Sequence, residues 1–188
     1  IDGSLYLRGV AVTGNSASYG GAIYSDNQDD AFVYIQEGTR IYGNTATDNG
    51  GGIYMNNGYL YVDGGEISGN NAVNGAGIYW ASNNKYCLTG GVITGNIATD
   101  NGGGVYAANY GKMFLGGTVR ITDNTNGNLY LSEKDVNIHN AVGKDGAPNK
   151  PLTEGAYIGI TAKDKNDVIS GGDSKFNEAD YEYLYTDE

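Results

Sequence analysis

The sequence predicts an all-β chain, a right-handed parallel β-helix of about five coils closed by a C-terminal β cap. Three observations carry that prediction: two short motifs recur five times in fixed order, apolar residues alternate with period two within each recurrence, and glycine runs separate the alternating stretches.

The first motif is GGAIY (Gly20 to Tyr24). It returns as GGGIY (Gly50 to Tyr54), GAGIY (Gly75 to Tyr79), GGGVY (Gly102 to Tyr106) and a degenerate GNLY (Gly127 to Tyr130). The second motif precedes it each time. VTGN, IYGN, ISGN, ITGN and ITDN end at Asn15, Asn44, Asn70, Asn96 and Asn124, separated by 29, 26, 26 and 28 residues. Such a period marks stacked repeats, each too small to bury a core alone. The L-x-x-L-x-L spacing of leucine-rich repeats is absent, and coils rich in glycine and β-branched residues form helices poorly.

Strand positions follow from the alternation. Leu5-Tyr6-Leu7, Val33-Tyr34-Ile35, Leu60-Tyr61-Val62, Tyr86-Cys87-Leu88 and Met113-Phe114-Leu115 read as equivalent strands, outer members inward and middle members outward. A second inward row is Val12, Ile41, Ile67, Ile93 and Ile121; a third is Ile23, Ile53, Ile78, Val105 and Leu129. Each coil is therefore expected to send three short strands around a tube, with coils about 4.8 Å apart. Glycine runs suit corners that need positive φ. The asparagines at 15, 44, 70, 96 and 124 are expected to hydrogen-bond to their equivalents one coil above and below.

Residues 1–131 thus form the β-helix and residues 132–188 a capping region. Residues 132–151, which hold both prolines, read as an irregular crossover, and Ala156 to Ile160 and Tyr181 to Tyr185 as covering strands. At the other end Leu5-Tyr6-Leu7 is already a full strand with little before it to act as a lid. End-to-end self-association follows as an expectation, because an uncovered strand edge invites pairing. The chain opens at Ile1 on the strand pattern, and reads as a mature chain or excised fragment whose targeting and anchoring signals lie elsewhere.

Composition narrows the function. Acidic residues outnumber basic ones 22 to 11, for a net charge of −11, and no Lys/Arg cluster offsets it. Such a surface repels nucleic acid and anionic lipid, and disfavours a polyanionic substrate unless calcium bridges the two. No apolar run reaches the length of a membrane span, so no membrane insertion is expected. Cys87 is the single cysteine, which leaves no disulfide framework within the chain.

The outward aromatics are the candidate binding residues. Tyr24, Tyr54, Tyr79, Tyr106 and Tyr130 each follow an inward aliphatic and should form one stacked file; Tyr6, Tyr34, Tyr61 and Phe114 form a second, interrupted by Cys87. Stacked rings stabilise adjacent coils, and also offer an amphipathic face to sugar rings or to a protein partner. Asp26, Asp29 and Asp30 share one corner loop, and Asp164 with Asp167 another, while Thr47-Asp48-Asn49 recurs as Thr99-Asp100-Asn101. They supply oxygens, but neither the nonapeptide calcium pattern nor an EF-hand loop is present, so solvated acidic corners without metal or cofactor are expected, with bound calcium as the alternative.

Catalytic residues are not evident either. Glycoside hydrolysis needs two carboxylates flanking a cleft, and no long insertion between coils would build its walls. A lyase would need a basic residue, but Arg8, Arg40 and Arg120 are the only arginines, and the lone His139 falls in the capping region. No file is threonine, as an ice-binding face would require.

The GGA[ILV] element alternating with a hydrophobic-x-x-N element resembles the repeats of the chlamydial polymorphic membrane proteins. Gly20-Gly21-Ala22-Ile23 matches the first element literally. Val or Ile stands where that family usually has Phe, as in Ile93-Thr94-Gly95-Asn96. The wider GN-x-A-x-x-x-GGG[IV]Y pattern is similar to β-helix repeats in large surface proteins of gut Gram-positive bacteria. The resemblance spans residues 5 to 131, and LTEGAYIGIT (Leu152 to Thr161) and VISGGDSKF (Val168 to Phe176) resemble the ends of such arrays. It implies a bacterial cell-surface or extracellular location and an adhesion or passenger-domain role, and it carries over no catalytic residue. The expected function is a non-enzymatic binding or display domain whose partner is a host or matrix glycan or protein. A self-assembling fibre or stalk subunit is the first alternative, and a polysaccharide lyase or hydrolase the second.

Overall fold

A computed structural model describes residues 3–26, 31–108, 112–132, 137–140, 150–162 and 184–186, the side chains of 137–140, 162 and 184–186 excepted. The sequence features at Asp29, Asp30, Asp164, Asp167, residues 168–176 and the His139 side chain lie outside that description.

The first coil holds β1 (Leu5–Leu7), β2 (Ala11–Thr13), β3 (Ser16–Tyr19) and β4 (Ile23–Ser25). The second repeats the order as β5 (Phe32–Ile35), β6 (Arg40–Tyr42), β7 (Thr45–Asn49) and β8 (Ile53–Met55). In the third and fourth the first two strands fuse, giving β9 (Tyr59–Ser68), β10 (Asn71–Asn74) and β11 (Ile78–Trp80), then β12 (Tyr86–Thr94), β13 (Ile97–Asn101) and β14 (Val105–Ala107). The fifth has β15 (Lys112–Leu115), β16 (Arg120–Thr122) and β17 (Leu129–Leu131). Every pairing is parallel and joins a strand to its equivalent one coil away, as in Ile23↔Ile53↔Ile78↔Val105↔Leu129. The chain is a parallel β-solenoid of about five turns, with no helix among the described residues.

Three inward aliphatic rows line the interior as the alternation requires, with Ile41, Ile53, Ile67, Ile78, Ile93 and Ile121 all buried. The tube has one side more than the three expected. β3, β7, β10 and β13 form a separate four-stranded sheet. Its inward residues are Ala46, Ala72 and Ala98, which pack with Ala76 in a small cluster of their own. Alanine is no strand-former, so this side left no aliphatic signal in the sequence; neighbouring coils hold it in register.

The corner after each second-side strand is made by Gly14, Gly43, Gly69 and Gly95, all at positive φ. In the fifth coil Asp123 occupies that position at φ 58. Asp tolerates the left-handed region better than most residues, which explains how ITDN replaces ITGN without breaking the turn.

One coil carries its bulk differently. Trp80 points inward where its register neighbours are Met55 and Ala107, and it stacks on inward-facing Tyr86 at 4.7 Å and 13°. Both are fully buried. Trp80 Nε1 and Tyr86 Oη have no hydrogen-bond partner among the described residues.

Beyond β17 the motifs stop but the stacking does not. β18 (Asn137–Asn140) pairs with β15, β19 (Tyr157–Ala162) pairs with both β16 and β17, and β20 (Leu184–Thr186) pairs with β19, all in parallel. The segment expected to be an irregular crossover therefore contains a strand in register with Lys112–Leu115. The last coil is covered by strands that continue the solenoid's own pairing.

A candidate binding face of stacked tyrosines

The two motifs meet between coils. Each asparagine's backbone N–H and side-chain Nδ2 both donate to Oδ1 of the next: Asn15 to Asn44, Asn44 to Asn70, Asn70 to Asn96 and Asn96 to Asn124, at 2.9–3.1 Å. Asn124 then donates in the same two ways to Asn128 Oδ1 within its own coil. Nδ2 also reaches back to the preceding coil, as from Asn70 to the Ile41 carbonyl at 3.0 Å. Asn44, Asn70 and Asn96 are fully buried. A Cβ on Gly77 would stand 3.0 Å from Asn96 Nδ2, and one on Gly104 2.8 Å from Asn124 Nδ2. The glycine motif of one coil thus makes room for the asparagine of the next, which is why the two elements recur together.

Outside the tube, Tyr24, Tyr54, Tyr79, Tyr106 and Tyr130 stack in one unbroken file. Successive ring centroids are 5.4, 5.0, 5.0 and 5.2 Å apart and the planes differ by 4–22°. Their faces are turned toward one another, so the file presents ring edges and phenol hydroxyls to the outside. Burial pushes the Tyr79 phenol up to about 12, with the neighbouring phenols of Tyr106 and Tyr54 adding to it. Tyr24 lies nearest solvent at 41% exposed.

The flanks of the file are polar. On one side the Asp26 carboxylate accepts from Asn56, Asn57 and Tyr24; these hydrogen bonds, Asn56 first, hold it below the usual carboxylate range. On the other side runs Tyr19, Asn49, Asn74 and Asn101, aligned by the four-stranded sheet. Asn74 Nδ2 donates to Asn49 Oδ1 at 3.1 Å, and the Asn101 N–H to Asn74 Oδ1 at 3.2 Å. Tyr19 meets Tyr54 at 5.3 Å with its ring turned by 62°. In the sequence Asn49 and Asn101 stand out only within the recurring Thr-Asp-Asn corners, and Asn74 and Tyr19 not at all, because this side's inward residues are alanine.

Tyr6, Tyr34 and Tyr61 stack as a second file, with centroids 4.6 and 4.9 Å apart. Phe32 and Tyr59 widen it into a patch, stacked on each other at 4.9 Å. The file does not stay exposed. Cys87 and Phe114, on its outward line, are buried and pack together with Tyr61. Burial pushes the Cys87 thiol up to about 12, where it is a poor nucleophile.

Two of the described acids near the second side are engaged. Glu66 pairs with Arg40 at 3.3 Å. Asp63 accepts from both Lys150 and Thr89. Among the described residues no three His, Cys, Asp or Glu side chains are grouped to hold a metal ion, and no helix is long and apolar enough to cross a membrane.

Fold and repeat together fit a β-helix repeat surface protein. Residues 9–26 and 38–56 match the Chlamydia polymorphic membrane protein repeat. Each match runs through the asparagine turn, the alanine side and the tyrosine strand of one coil, β2 to β4 and β6 to β8. No curated protein and no solved structure matches the chain.

Proposed function

We propose that the chain is an extracellular, surface-displayed binding module without catalytic activity, which presents its tyrosine file to a host or matrix glycan or protein. The observation that carries this reading is the continuity of the file: five rings held in register over every coil, fixed by stacking before any partner arrives. A preorganised face loses little side-chain freedom on binding. The repeat match supports a bacterial surface location.

The test is adhesion of the purified chain to mucin, to matrix proteins and to a glycan array, with Tyr54→Ala and Tyr79→Ala as face variants. Binding by the wild type and its loss in both variants is the expected result; a wild type that adheres to none of these surfaces overturns the reading. Release of reducing ends or unsaturated products from polysaccharides would overturn its non-enzymatic part.

A second reading, a self-assembling fibre or stalk subunit, is favoured by the parallel pairing of each described strand with its equivalent one coil away, a geometry that a second copy can continue. Electron microscopy and sedimentation of concentrated protein decide it: filaments support end-to-end association, and monomers at every concentration exclude it.

A further inference from the structure

Building on the binding reading above, we infer that the strip formed by the tyrosine file and its neighbouring amide row is a binding site for a neutral, extended β-1,4-linked glycan lying along the solenoid axis.

The rungs stand on coils about 4.8 Å apart, and their ring centroids, offset sideways, are 5.0–5.4 Å apart. Successive sugars of an extended β-1,4-linked chain advance by a little more than one coil, so such a chain meets about one phenol per sugar over the five rungs. An α-1,4-linked glucan coils and does not.

The strip offers edges and polar groups. The ring faces of the file are used up in stacking, so a sugar does not lie flat on them; it meets edges and hydroxyls. A phenol hydroxyl both donates and accepts, and a primary amide has two donors and two lone pairs. Asn49, Asn74 and Asn101 use only part of that capacity on one another. No outward side chain stands between the two rows: Gly50, Gly75 and Gly102 lie at the foot of Tyr54, Tyr79 and Tyr106, where an added Cβ would come within 2.8–2.9 Å of the tyrosine Cβ. Sugar hydroxyls can thus reach phenols on one side and amides on the other.

Tyr19 stands apart from the file. Its ring is turned 62° from the Tyr54 plane and is 44% exposed. Outside the parallel stack, it supplies the aromatic face on which a sugar's C–H face packs. It marks one end of the site.

Charge restricts the glycan to a neutral one. Asp48 and Asp100 are exposed beside Asn49 and Asn101, and the chain carries −11 overall. A uronic-acid polymer is repelled from such a strip, and a neutral glycan is not.

Calorimetric titration with cello-oligosaccharides from cellobiose to cellohexaose, against malto-oligosaccharides of equal length, tests the assignment. Affinity should rise with each added sugar in the β series and be undetectable in the α series. Tyr79→Phe keeps the ring stack and removes one hydroxyl, and should weaken cellohexaose binding roughly three- to tenfold, the range of one neutral hydrogen bond. Tyr19→Ala should weaken it by roughly tenfold, with thermal unfolding run in parallel to show that both variants fold. Equal binding of the α series, affinity independent of length, or undiminished binding by both variants overturns the site. A wild type that ignores cellohexaose yet adheres to mucin overturns the glycan assignment and leaves the surface-binding reading standing; one that binds neither overturns both.

Discussion

Asn70 donates twice to one atom: its backbone N–H and its side-chain Nδ2 both bond Oδ1 of Asn96, at 3.0 and 2.9 Å. Asn44 does the same to Asn70, so each buried amide joins the coil before it to the coil after it. Asn70→Ala removes the acceptor for two Asn44 donors and the donor to the Ile41 carbonyl. Each buried polar group left unpaired costs about 1–3 kcal/mol, so the variant should lose roughly 3 kcal/mol or more in urea unfolding. Asn15 is solvent-exposed, and Asn15→Ala should cost about 1 kcal/mol or less. Equal losses at the two positions would show that burial does not set the strength of these bonds.

Two corner glycines separate backbone strain from crowding. Gly69 and Gly75 share φ +58, but a Cβ on Gly69 meets nothing within 4 Å, whereas one on Gly75 falls 2.6 Å from the Ile78 carbonyl oxygen. Gly69→Ala should cost about 1–2 kcal/mol from the left-handed conformation alone. Gly75→Ala should cost clearly more and disturb Tyr79, visible as a change in the tyrosine near-ultraviolet dichroism that Gly69→Ala does not produce.

Tyr86 carries a buried hydroxyl with no partner among the described residues. Tyr86→Phe keeps the ring stacked on Trp80 and deletes the orphan group, and should raise stability by roughly 1 kcal/mol. A loss of stability instead would mean that a buried water serves the hydroxyl.

Alkaline titration reads the tyrosine files. Tyr79 and Tyr61 have folded values pushed up to about 12, against 10.0 for a free phenol, burial being the main cause in each. Between those values the folded chain holds protons that the unfolded chain has released. Their contribution is therefore complete below pH 10 and is lost as pH rises through about 12. Phenolate absorbance should appear late for these residues, and Tyr79→Phe should flatten the fall in melting temperature above pH 10.

How much of this was legible in the sequence depends on how each residue announces itself. Ile35, Ile41 and Ile53 each belong to an aliphatic row that alternates and recurs, so three sides of the tube could be read directly. Ala46, Ala72 and Ala98 do equivalent work on the fourth side but carry no strand preference, so Tyr19 and Asn74 stayed hidden, and the recurring Asn49 and Asn101 read as acidic corners and not as one amide row. Asn128 closes the chain of amides from four residues away, a relation that no period of 26 to 29 reveals. The alternation placed Phe114 and Cys87 on the outward line, but period fixes direction and not cover, and both are buried. The strand at Asn137–Asn140 has neither motif, and is set by pairing with Lys112–Leu115.

The equal step from Asn44 to Asn70 and from Asn70 to Asn96, 26 residues each, makes the coil a unit of length. Copying residues 71–96 in tandem would slide everything downstream by one strand spacing and add one new contact between coils, where asparagine again meets asparagine and tyrosine tyrosine, but where Trp80 would meet a second Trp80 in place of Ala107. Such a chain can grow or shorten through gene duplication and loss while its chemistry per turn stays constant. Reach, and with it the number of simultaneous contacts, then becomes a quantity that selection can adjust without redesigning a fold.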